Sequence, residues 1–177
     1  MEKRIRALKA IILVAVMVVE LFGVDAVRVV AETFNVTEDT TVSDEENRDY
    51  VVTNCTLTVS SAGNITGTVF GSGGTIVNQG SIGKIEGNIE VDNQAGASIQ
   101  DLQSSVNITN AGHITSATYS STYTLTNSGT IDTLNVDNPG YSDSAATVNM
   151  NAGTISSLNL PSLIAFSANS CERTAKA

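Results

Sequence analysis

Ile76-Val77-Asn78-Gln79-Gly80-Ser81-Ile82-Gly83-Lys84-Ile85 is the stretch on which the reading turns. An apolar residue stands two before the Asn, a Gly two after it, an Ile four after it, and another apolar residue three beyond that. The phrase returns as Ile108, Asn110, Gly112, Ile114, and again as Leu125, Asn127, Gly129, Ile131, Leu134. The repeat length is about 17 residues, the signature of a solenoid in which each coil covers the apolar stripe of the next.

Taking each Asn as zero, position minus two reads Val59, Ile76, Val91, Ile108 and Leu125. Position plus four reads Ile65, Ile82, Ile114, Ile131 and Ile155, with Ile99 delayed by the longer Ala95-Gly96 turn. Minus four supplies Leu57, Ile89, Val106 and Tyr123, and three beyond the Ile come Ile85, Leu102, Leu134 and Leu158. Alternation along a strand sends minus four and minus two to the same side. The runs are short, β-branched and bounded by Gly, Asn and Ser, so they read as strands and not helices. The expected fold is all-β: a single-stranded parallel β-helix of about six coils, which accommodates a chain with 5% aromatics and no Trp.

The polar positions of the repeat read as a structural turn ladder. Asn78, Asn93, Asn110, Asn127 and Asn151 are expected at corners, bonding the local backbone and one another from coil to coil. Gly80, Gly112, Gly129 and Gly153 are expected to supply positive φ. The first coil carries Ser61 and Gly63 in this register, and the last shifts its apolar residues to Val148 and Met150.

Four parts are expected along the chain. Residues 1–31 read as a secretory signal: Lys3, Arg4, Arg6 and Lys9 precede the apolar run Ala10 to Val19, and small residues suit cleavage after Ala31 better than after Ala26. The run is about half the roughly 20 residues that a spanning helix needs, so a signal helix is expected and no membrane span after cleavage. Residues 32–50 form an acidic lead-in and N-terminal cap, 51–160 the β-helix, and 161–177 a C-terminal tail, with Leu163 to Phe166 able to cover the far end. Beyond residue 31, four basic residues stand against fifteen acids, about −11 in net charge, which repels nucleic acid. Cys55 and Cys171 lie at opposite ends of a stack some 25 to 30 Å long, too far apart for a disulfide. Cys55 shares parity with Leu57 and Val59 and reads as a buried thiol.

Known chemistry finds little purchase. His113 reads as a solvated turn residue with no ligand set around it, and no metal or cofactor motif is present. Glu86, Glu90, Asp92, Asp101 and Asp132 fall at different positions of the coil, with Lys84 the solenoid's one strong base, so the paired acids of glycoside chemistry are not expected to converge. Gly71-Ser72-Gly73-Gly74 lacks the Asp of calcium-binding nonapeptides, and the position before each Asn is too irregular for an ice-binding array. The repeat swells between Leu134 and Val148; solenoid insertions emerge as loops, so Asp137, Asn138, Tyr141 and Asp143 are the candidate contact residues.

The Asn-x-Gly-Thr-Ile coils at Asn127 to Ile131 and Asn151 to Ile155, behind a signal segment, resemble the Asn-, Gly- and Thr-rich parallel β-helices of bacterial surface adhesins and autotransporter passengers. The coil length is also similar to that of bactofilins, which lack export signals. The first resemblance covers residues 50 to 160 and implies an exported, noncatalytic adhesion or structural module. Its partners would be a host or cell-wall glycan or protein, with self-association through the solenoid ends. The alternative is a carbohydrate-active β-helix enzyme. Leu160-Pro161-Ser162-Leu163 departs from a wall-sorting motif.

Overall fold

The structure, a computed structural model, describes residues 32–104, 106–120, 123–137 and 147–160. It contains β1 (Thr33–Val36), β2 (Thr40–Val42), β3 (Glu45–Glu46), β4 (Asp49–Thr53), β5 (Thr56–Val59), β6 (Asn64–Asn78) and β7 (Ser81–Asn93). These are followed by β8 (Ser98–Ser104), β9 (Ile108–Asn110), β10 (His113–Ser120), β11 (Thr124–Asn127), β12 (Thr130–Asp137), β13 (Thr147–Met150) and β14 (Thr154–Asn159). Every pairing is parallel, and the chain winds through about six turns as the expected β-solenoid. The proposed signal helix, the tail with Cys171, and Asn138, Tyr141 and Asp143 lie outside the described residues.

Each turn has three sides. In one turn β3, β4 and β5 are separate strands; in the next the same three stretches run together as β6, with register shifts between Ile65 and Thr68 and between Ser72 and Thr75. Strand sterics explain the corners. Gly73 and Gly74 stand at φ of 81° and 88°, a region closed to most side chains, and Asn54 takes φ 54° at the same corner one turn earlier.

The core is a set of vertical columns. On the first side Ile65, Ile82, Ile99, Ile114 and Ile131 lie in register, each at most 1% exposed. The extra residues at Ala95-Gly96 are absorbed in the turn, so Ile99 still falls over Ile82. On the second side Val69, Ile85, Leu102, Ala117 and Leu134 stack, and on the third Leu57, Ile76, Val91, Ile108, Leu125 and Val148. Fully burying an aliphatic side chain contributes about 1.5 to 3 kcal/mol, so columns of this length outweigh the entropy of ordering short strands only when several coils stack.

Volume is conserved from coil to coil. Leu102 and Ser104 give way in the next turn to Ala117 and Tyr119, and then to Leu134 and Val136, small opposite large. Gly71 leaves room that Ile89 fills: a Cβ there would lie 2.2 Å from that of Ile89.

Several expectations are corrected by this register. Val59, not Ser61, stands over Asn78, and Leu57, not Val59, over Ile76, because the turn at Ser60 to Gly63 absorbs two extra residues. Tyr123 is 39% exposed and Val106 half-buried, since the chain reaches the third side only at Thr124 and Ile108. Cys55 is half-buried; its Sγ lies 3.1 Å from the Val36 carbonyl and donates to it. The lead-in does cover the first edge with short strands: β1, β2 and β3 pair in parallel with the turn above, and Tyr50 to Val52 lie between β1 and β6.

Candidate functional site

The repeat's asparagines come first because they are the most polar groups in the core. Asn78, Asn93, Asn110 and Asn127 are fully buried, and each amide donates to the next: Asn78 Nδ2 to Asn93 Oδ1 at 2.8 Å, Asn93 to Asn110 at 2.7 Å, Asn110 to Asn127 at 2.7 Å. The second hydrogen of each goes to a backbone carbonyl, those of Ser98, His113, Thr130 and Thr154. Burying an amide costs several kcal/mol unless it is bonded, and here the column satisfies its donors internally. Asn151 does not join. Met150 faces Asn127 and Asn151 is exposed, because the last turn returns one residue earlier in register. Val59 and Met150 thus close the ladder at its two ends.

The glycines need another explanation than positive φ. None of Gly80, Gly112, Gly129 and Gly153 is left-handed. A Cβ on Gly80 would lie 2.2 Å from the Gly63 carbonyl oxygen, on Gly112 2.4 Å from that of Ala97, on Gly129 2.0 Å from that of Gly112, and on Gly153 2.6 Å from Asn127 Nδ2. They are small because consecutive turns pack backbone on backbone.

Chemistry facing outward is divided among the three sides. On the first, residues flanking each core Ile alternate outward, giving rows that begin Asn64, Ser81, Ser98, His113 and Thr66, Gly83, Gln100, Thr115. They line a groove of about 430 Å³. Gly83 deepens its floor, Ser98 Oγ donates to Ser81 Oγ at 3.1 Å, and His113 Nε2 sits 3.0 Å from Asp132 Oδ2 at one end. His113 is therefore a strand residue with a carboxylate partner, not a lone turn residue.

On the second side Lys84 Nζ meets Glu86 Oε1 at 2.5 Å and Asp101 Oδ2 at 3.8 Å. Two acids and a base do gather, contrary to expectation. Lys84 and Asp101 are one repeat apart, which is the signal that would have paired them. The hydrogen bond to Glu86 raises the Lys84 pKa above its usual value, so the amine stays protonated at neutral pH and is a poor general base. The third side carries Glu90 and Asp92; Gln94 donates to Asp92 at 3.3 Å and accepts from Gln79 at 3.2 Å.

A second cleft, of about 300 Å³, lies at the N-terminal end. Phe34 and Tyr50 meet there edge to face at 5.7 Å, and Arg48 pairs with Glu46 at 2.8 Å. Burial and the Glu46 carboxylate raise the Tyr50 pKa. Of the candidate loop, Asp137 ends β12, its backbone paired with Ser120; the remaining candidates fall in 138–146, outside the described residues. Among the described residues no three His, Cys, Asp or Glu side chains cluster as metal ligands, and no helix is long and apolar enough to cross a membrane.

No family model, curated protein or solved structure matches the chain.

Proposed function

We propose that this chain is an exported, noncatalytic β-solenoid that acts as a surface or extracellular adhesion or structural module. The observation carrying this reading is how the polar groups are divided. The inward amides are spent on the Asn ladder, whereas outward Ser, Thr, Asn and Gln form open rows on the first side, apart from the acids at Lys84 on the second side and Asp92 on the third. Open rows suit recognition of a glycan or protein. The basic, apolar leader supports export.

The test is binding without turnover. The full chain, expressed in a secreting host, is expected in the medium or at the surface and to bind immobilised cell-wall or host material saturably, releasing no sugar product. Product release abolished by Glu86→Gln or Asp101→Asn would replace this reading with the carbohydrate-active enzyme. The Lys84 cluster is the one observation favouring that second reading, and protonation of its lysine weighs against it.

A further inference from the structure

We propose that the groove on the first side binds an uncharged, extended, β-linked polysaccharide lying along the solenoid axis. This rests on the adhesion reading above and names its ligand class.

Three observations carry it. The groove spans four successive turns, with Asn64, Ser81, Ser98 and His113 as consecutive rungs of one row. Adjacent turns repeat at about 4.8 Å, close to the rise of one hexose in an extended β-linked chain, so each sugar meets one rung. Hydroxyl and amide rungs both donate and accept, as sugar hydroxyls do, and they can exchange bound water for sugar oxygens without burying an unpaired group.

Charge sets the class. Between its ends the groove is lined by the uncharged groups of Ser81, Gly83, Ser98 and Gln100. Carboxylates bracket it: Glu45 is the register partner of Asn64 below, and Asp132 bonds His113 above. On a chain of net charge −9 this arrangement disfavours uronates, phosphates and nucleic acid and leaves neutral glycans.

The experiment titrates the full chain with soluble β-1,4-linked gluco-, xylo- and N-acetylglucosamine oligosaccharides of increasing length, and with the β-1,4-linked uronate oligomannuronate, by calorimetry. One neutral series is expected to gain roughly tenfold in affinity from disaccharide to tetrasaccharide and little beyond, with oligomannuronate silent. Ser98→Tyr, which fills the groove from an outward position, is expected to abolish binding. Gln100→Ala is expected to weaken it roughly tenfold, the loss of about one hydrogen bond's worth. Thr109→Tyr, on the third side, is expected to leave it unchanged; melting curves verify that all three variants fold. Neutral-glycan binding that survives Ser98→Tyr overturns the groove assignment and leaves the adhesion reading standing. Failure of all neutral series, or preference for the mannuronate, overturns the ligand class. Absence of any binding partner in the surface assay is what removes the adhesion reading itself.

Discussion

Asn93 Nδ2 donates to Asn110 Oδ1 at 2.7 Å inside a core from which water is excluded, the middle bond of a three-bond amide ladder. A bond between residues 17 apart in sequence joins one turn to the next. It fixes the axial register: a slip of two residues, the smallest that keeps inward side chains inward, would bring Ile76, Val91, Ile108 or Leu125 against an amide.

Removing a rung leaves its neighbours unpaired in the core. Asn110→Ala strips the Asn127 Oδ1 of its donor and the Asn93 amide of its acceptor, so a loss of about 3 kcal/mol is expected in urea unfolding. Asn151→Ala, exposed and off the column, is expected to change stability by less than about 0.5 kcal/mol. Equal losses at the two sites would mean that the ladder is not what stabilises this side.

The same substitution should have opposite fates in neighbouring columns. Met150→Asn places an amide beside Asn127, at the end of the ladder, and should cost less than about 1.5 kcal/mol. Leu125→Asn puts the amide among Ile108 and Val148, with no polar column to join, and should cost about 4 kcal/mol or more. Thermal melting of the pair checks this.

Glycine substitutions separate close packing from backbone conformation. Gly129→Ala would bring a Cβ to 2.0 Å from the Gly112 carbonyl oxygen and must force two turns apart, at a cost of about 3 kcal/mol or more. At Gly96 nothing lies within 4 Å of a Cβ, but φ is +85°, so Gly96→Ala should cost only about 1 to 2 kcal/mol. Gly96→Asn, which tolerates that φ better, should recover part of the loss.

Tyr119 gives a pH signature. Its ring is fully buried, its hydroxyl lacks a well-formed hydrogen bond among the described residues, and burial, against a weak pull from the Tyr123 backbone, pushes its pKa up to about 12. Because the folded state holds the proton longer than the unfolded state, ionisation of this residue costs the fold nothing below pH about 10, and stability is lost as pH rises from there towards about 12. Comparing the stability of wild type and Tyr119→Phe across this window should show a steeper decline in wild type. At neutral pH the phenylalanine variant should be as stable or more so, having no unpaired hydroxyl to bury. Parallel profiles would show that Tyr119 is solvated.

Sequence alone determined the parallel coil and most of its inward residues. Strand alternation is local, and a repeat of about 17 residues puts like over like wherever it holds, as from Ile65 to Ile131. What the repeat could not express was decided by neighbouring turns. Val59 and Met150 take the ends of the Asn column because turn lengths there differ by residues that only strand pairing can allocate. The stacked glycines answer to a carbonyl one turn away, not to their own φ. The groove exists only because side chains about 17 residues apart are held one strand spacing from each other, a distance that backbone hydrogen bonds between turns impose and that no single stretch of chain contains.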